Sequence, residues 1–172
     1  MTKNYSYQEY LLRAIWWIIS PLFRYSPRHL YEWRVFLLRI MGARIKSHVK
    51  IYPSCKITFP WNLLIGNNVT IGWDVRIYNL GNVVIDDNVV ISQNSHLCAG
   101  THNYKSHNFD LLKSTIRVKN NVWIAADAFI GPNVIVEEYC IIGARAVLMK
   151  NTEINSIYVG NPAVKVINNA SN

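Results

Sequence analysis

One spacing dominates this chain: an aliphatic residue at every sixth position. From Ile45 the step runs to Ile51 and Ile57; after two extra residues it resumes at Ile65, Ile71 and Ile77, and after two more at Ile85, Ile91 and Leu97. A longer interruption follows, and the step then continues unbroken through Val118, Ile124, Ile130, Val136, Ile142 and Leu148. A second column stands two residues ahead of the first: Ala43, Val49, Cys55, Leu63, Val69, Val75, Val83, Val89, Ser95, Ile116, Val122, Ala128, Val134, Cys140 and Ala146. Residues two apart on an extended strand share a face, so both columns point the same way. Glycine and polar turn residues fill the gaps, as at Gly66-Asn67-Asn68, Asp86-Asp87 and Asn120-Asn121.

An α-helix would place its apolar residues three and four apart, and a hairpin protein would not hold one phase for so long. Six residues per face and three faces per turn give a triangular coil of about 18 residues, stacked on the next at about 4.8 Å, the spacing of paired strands. The anchors make five such coils. No coil is stable alone; stacking turns the columns into continuous apolar ladders. The chain therefore divides into an N-terminal helical cap (1–42), a parallel β-helix (43–157) carrying one long excursion loop (98–117), and a C-terminal turn and tail (158–172).

In the cap, Tyr10, Leu11, Ile15, Ile18 and Ile19 predict one amphipathic helix and Tyr31 to Met41 a second, with Pro21 and Pro27 breaking them. Two readings of the cap stand side by side. It covers the open ladder of the first coil, or it lies at a membrane interface, since Trp16, Trp17, Arg13 and Arg24 suit a headgroup boundary. The apolar stretch Leu11 to Ile19 is too short to span a bilayer and lacks the flanks of a signal peptide.

Composition narrows the function. Half of the residues are hydrophobic and 16% are charged, which suits a packed domain. The formal net charge is +8, which implies an acidic partner. The basic residues are spread out and no nucleic-acid motif occurs, so phosphate-bearing small molecules or an anionic membrane face fit better. Cys55, Cys98 and Cys140 are odd in number, widely spaced and without a CxxC, which argues against a disulfide framework or a zinc site and for a reducing, cytoplasmic setting.

The repeat, the histidine-bearing loop and the terminal Gly160-Asn161-Pro162-Ala163 together resemble the hexapeptide-repeat acetyltransferases. The segments Pro60-Trp61-Asn62-Leu63, Tyr78-Asn79-Leu80, Ile91-Ser92-Gln93, Leu97 to Tyr104, Asn108-Phe109-Asp110-Leu111 and Trp123-Ile124-Ala125-Ala126 are similar to the colanic acid biosynthesis acetyltransferase subgroup. The resemblance implies a left-handed coil, which spacing does not show. It also implies a homotrimer with sites between subunits, and transfer of acetyl from acetyl-CoA to a sugar hydroxyl of exopolysaccharide or capsule. The acceptor would be a sugar, a nucleotide sugar or a lipid-linked saccharide, and the setting the cytoplasm, with the inner face of the membrane as the site of action for a lipid-linked acceptor.

Such chemistry needs a base at the hydroxyl, donors for the oxyanion and a groove for the pantetheine arm. His102, within Gly100-Thr101-His102, matches the family's catalytic base, with His107 as its rival. Asn79 and Tyr78 match the acceptor-holding region. Asp110 would orient His102, bind a sugar hydroxyl or close an Asx turn. For CoA, Trp123 matches the channel wall, Ala126 and Ala144 the positions whose backbone meets the thioester arm, Lys150 the phosphate end, and Asn161 and Pro162 the adenine end. The family places a base directly after its Gly-Asn-Pro-Ala turn; here Val164 stands there and Lys165 comes one later, with Arg145 able to compensate. Two other readings remain: a γ-carbonic-anhydrase-like metal enzyme using His96 and His102, and a non-catalytic β-helix scaffold. The expectation is an enzyme without a metal.

Overall fold

The computed structural model describes residues 5–168. Two helices precede a parallel β-helix of five complete coils and a partial sixth. Helix α1 (Tyr7–Arg24) starts at a reciprocal cap: Ser6 Oγ accepts from the Glu9 amide at 3.2 Å, and Glu9 Oε2 accepts from the Ser6 amide at 2.7 Å. Helix α2 spans Tyr31–Ile40, one residue short of the expected end.

Pro21 does not break the first helix as expected; it lies inside α1. A proline there removes the amide that would bond the Trp17 carbonyl. The Ser20 hydroxyl donates to that same carbonyl at 3.2 Å, so the orphaned acceptor keeps a partner. Pro27 does fall in the break between the helices.

The strands form three parallel sheets, one per face. On the first face Ile45, Ile65, Ile85, Val118 and Val136 stand in register; on the second Ile51, Ile71, Ile91, Ile124 and Ile142; on the third Ile57, Ile77, Leu97, Ile130 and Leu148. All fifteen anchors are buried, and so are all fifteen members of the second column. The two-residue insertions after Ile57 and Ile77 are taken up at the corners without disturbing the ladders. The other corners repeatedly place Asn or Asp at positive φ, as at Asn68, Asp74, Asn88, Asn94, Asn121, Asp127 and Asn133. Asn and Asp tolerate this left-handed conformation better than most side chains.

The helices close the first coil. Trp16 donates from Nε1 to the Ile57 carbonyl at 2.9 Å, and Phe23, Val35 and Leu38 enter the core. Arg34 is fully buried and meets no carboxylate; its guanidinium donates to the carbonyls of Ile51 (2.6 Å), Pro27 (2.8 Å) and Arg28 (2.5 Å) and to Ser26 Oγ (2.8 Å). It thereby fastens the interhelical turn to the first coil's edge. At the other end, strand Ser156–Val159 stacks on the second face, and Val164–Asn168 pairs antiparallel with it. The segment read as turn and tail thus contains a strand. It covers an edge that would otherwise present unpaired backbone groups. Among the described residues no helix is long and apolar enough to cross a membrane.

Candidate active site

The long interruption is an ordered antiparallel arm, not an irregular loop. The chain leaves the third face after strand His96–Cys98, runs out through Gly100–His102 and returns through Leu111–Lys113, with His102 opposite Leu111. It re-enters the coil at Ile116–Val118 on the first face. The arm's base presses tightly on the coil below. A Cβ on Gly81 would lie 2.1 Å from the Ser114 carbonyl oxygen, and one on Gly100 would lie 2.8 Å from Tyr78 Cε1. Only glycine fits at either point.

His102 sits where the arm begins its tip, exposed, with its ring stacked on Phe109 at 4.4 Å between centroids. Its Nδ1 lies 2.9 Å from the Phe109 carbonyl oxygen. A carbonyl can only accept, so this partner assigns the hydrogen to Nδ1 and leaves the Nε2 lone pair outward. That is the tautomer a general base needs. Phe109 holds this position at a φ of 49°. The tip is braced by Asn103, whose amide donates to the Asp110 carbonyl at 2.8 Å, and by Ser106, whose hydroxyl donates to Asp110 Oδ2 at 2.5 Å.

Asp110 therefore holds the tip together, and the Phe109 carbonyl, not Asp110, orients His102. His107 is exposed at the tip. Asn79 requires a correction. It is fully buried, and its side-chain amide bonds both the amide and the carbonyl of Phe59. One residue past the strand end, its side chain turns inward and pins the neighbouring coil, so it cannot reach an acceptor. Tyr78 remains beside the arm, half-buried; burial first, then Tyr5 and Cys98, push its hydroxyl pKa up. Cys98 donates to the Gly100 carbonyl at 3.4 Å.

Most of the residues matched to CoA gather at a different corner, between the second and third faces. Trp123 points outward from the second face, half-exposed, and donates from Nε1 to Ser92 Oγ at 3.0 Å. Ala126 and Ala144 follow the second-face strands of successive coils, and the Arg145 amide donates to the Ala126 carbonyl at 2.9 Å. Gly160 to Ala163 continue this column: the Val147 amide donates to the Gly160 carbonyl and the Ala163 amide to the Val147 carbonyl, both at 2.9 Å. Asn161 and Pro162 are exposed on that turn, and Arg145 is exposed beside it. Lys150 is exposed at the corner beyond the third face. Lys165 is engaged elsewhere, in an ion pair with Glu153 at 2.6 Å.

So one chain puts His102 at the far end of the third face and the Ala126–Ala144 column at its near end. Sequence reasoning missed the Phe109 support, because a backbone carbonyl leaves no side-chain signature. It also missed Ser92 under Trp123, which the coil period could have found. A third link escaped it: Lys113, on the returning strand of the arm, pairs with Glu9 of α1 at 2.6 Å, so the cap holds the arm. This pair also lowers the Glu9 carboxyl pKa. His96 lies outward on the third face, edge-on to Phe129; burial, then the nearby Arg76, lower its pKa. Among the described residues no group of three His, Cys, Asp or Glu is placed to hold a metal ion.

Comparison with known proteins decides the family. Residues 115–150 match the bacterial transferase hexapeptide (six repeats) family. Over 153 residues, 88% of this chain and 84% of the relative, the sequence is 40% identical to WcaF of Escherichia coli K12, described as a colanic acid biosynthesis acetyltransferase. The chain belongs to the hexapeptide-repeat acetyltransferases. The fold agrees with that family's left-handed β-helix. A hexapeptide-repeat-containing acetyltransferase from Vibrio cholerae superposes with a TM-score of 0.88 at 18% identity, covering 96% of this chain and 95% of that one. A galactoside acetyltransferase in complex with coenzyme A gives a TM-score of 0.87 at 23% identity, covering 97% and 85%. At such identities these two structures speak for the fold alone.

Proposed function

We propose that this acetyltransferase moves the acetyl group of acetyl-CoA onto a sugar hydroxyl in exopolysaccharide or capsule biosynthesis, with His102 as general base. The observation that supports the reading is the His102 geometry: Nδ1 is committed to the Phe109 carbonyl, and on this exposed side chain Nε2 is left without a partner among the described residues. In the step, the acceptor oxygen attacks the thioester carbonyl carbon while Nε2 takes the hydroxyl proton. The carbon–sulfur bond then breaks, and the departing thiolate recovers that proton from the imidazolium. No acyl-enzyme is needed, and Cys98 is left out of the chemistry.

The donor runs along the Ala126–Ala144 column. Side chains no larger than methyl let the pantetheine arm approach, and Trp123 walls the channel. Asn161 and Pro162 meet the adenine end, with Arg145 and Lys150 at the phosphates; Lys165 contributes only if its Glu153 pair opens. The His102 arm and this column lie at opposite ends of the third face, so we infer that the site closes between two copies of the chain, in a homotrimer. The acceptor is a sugar, nucleotide sugar or lipid-linked saccharide, for which the similarity to the colanic acid enzyme is the support. Tyr78, His107 and Asp110 border its approach. The setting is cytoplasmic, where the donor is made.

The test is acetyl-CoA binding by calorimetry beside transfer to a panel of polysaccharide sugars, for the native chain and His102→Ala. The variant should bind acetyl-CoA unchanged and transfer roughly 10²- to 10⁴-fold more slowly. Equal loss of binding and transfer would give His102 a structural role instead.

A further inference from the structure

Helix α1 is apolar on two sides, and the β-helix covers only one of them. Trp16 and Phe23 are buried against the first coil. On the outward side Leu11, Ile18 and Leu22 recur at helical spacing and are 62%, 67% and 57% exposed. Trp17 is 79% exposed beside them. Helix α2 extends the same surface with Trp33, Phe36 and Ile40, again at helical spacing and all exposed. The two stripes are joined: Trp33 donates from Nε1 to the Leu22 carbonyl at 3.2 Å, and its ring stacks on Phe36 at 5.9 Å. A helix that is apolar all round belongs inside a protein or against lipid. A contiguous apolar surface of this kind marks an interaction site.

We propose that α1 and α2 form a docking platform for an anionic lipid surface. Charge selects this occupant. Arg13, Arg24 and Arg28 are exposed on the cap, and their charges are not neutralised by any ion pair among the described residues. Arg13 lies over the Tyr5 ring at 4.6 Å and Arg28 donates to the Tyr52 hydroxyl at 2.8 Å, which leaves Arg24, on the helix that carries the apolar stripe, uncommitted among the described residues. Of the two carboxylates on the helices, Glu9 is occupied by Lys113, leaving Glu32 alone. A basic fringe around an apolar, tryptophan-bearing face complements anionic headgroups above acyl chains. Pairing of two such faces about a two-fold axis would instead set like charges against each other, in a chain of net charge +8. The helices lie on the surface and do not cross it. Docking would also set the His102 arm, held to α1 by the Glu9–Lys113 pair, beside the headgroups. That consequence, unlike docking itself, rests on the acetyl-transfer reading and favours a lipid-linked acceptor.

The experiment is flotation of the full chain with vesicles of phosphatidylcholine alone and of phosphatidylcholine mixed with phosphatidylglycerol, with particle mass followed by light scattering. The native chain should float with the anionic vesicles and stay behind with the neutral ones. Trp17→Glu combined with Ile18→Glu should reduce binding more than roughly tenfold. Arg24→Gln should reduce it roughly fivefold. All three positions are exposed, so the melting temperature and acetyl-CoA binding should hold, which separates failure of docking from failure of the chemistry. No flotation of the native chain with either vesicle overturns the proposal. So does a double variant that floats undiminished but changes particle mass, since the face would then join copies of the chain.

Discussion

At the scale of single residues, the site is a matter of how one imidazole is held. His102 is exposed, and a free surface histidine would sample many rotamers. Here the Phe109 ring fixes the plane and the Phe109 carbonyl fixes the tautomer. Ring stacking is worth about 0.5–1.5 kcal/mol beyond the area it covers. Phe109→Gly keeps the left-handed backbone and its carbonyl while removing the ring, so kcat should fall by roughly two- to tenfold. That is far less than for His102→Ala. Initial-rate measurements on the two variants check the order; an unchanged kcat in Phe109→Gly would leave the ring without an orienting role. Burial pushes the Cys55 thiol up to about 12, so this cysteine belongs to the apolar column and not to the chemistry.

At the scale of elements, the cap and the arm depend on each other. Helix α1 is tied to the arm by Glu9–Lys113, and α2 is tied to the first coil by Arg34. The Arg34 fastening carries the larger stake, because a fully buried guanidinium donates to three backbone carbonyls and to Ser26 Oγ. Hydrogen bonds to a buried charged group each contribute about 1.5–3 kcal/mol. Arg34→Met should therefore lower stability by about 3 kcal/mol, seen as a lower denaturant midpoint. Arg34→Lys should not restore it, since a single ammonium cannot span the fork of acceptors. Full recovery in the lysine variant would show that charge alone sufficed. The Glu9 pair behaves differently with pH. A carboxyl whose folded pKa is depressed contributes stability above its unfolded value near 4.5, and loses it as pH falls through the folded one.

At the scale of the whole molecule, the coil separates the two groups of residues that the proposed transfer must join. The arm leaves beyond the third face, while the small-residue column runs up the corner before it. A site assembled between copies makes a specific prediction. His102→Ala and Ala144→Trp, each inactive alone, should recover part of the activity when co-expressed, because some interfaces then pair a sound arm with a sound column. Mixed assemblies that stay inactive, with both variants folded and trimeric by light scattering, would place the whole site within one chain.

The sequence by itself determined the coil. Fifteen anchors and fifteen partners, read off a six-residue step, are all buried in the structure, because stacked coils leave an inward aliphatic residue no other environment. It also offered His102 and His107 in the break of the repeat, and the resemblance to the acetyltransferases, not the spacing, singled out His102 as the expected base. Tertiary structure decided what spacing cannot encode. Asn79 lies one residue beyond a strand end, where the corner turns its amide inward onto Phe59; no period predicts that rotation. Pro21 stays within α1 because a neighbouring serine hydroxyl replaces the lost donor. The support of His102 comes from a carbonyl seven residues away, brought back by the antiparallel arm. Backbone groups are the same in every residue, so only the folded path of the chain decides which of them meet a side chain.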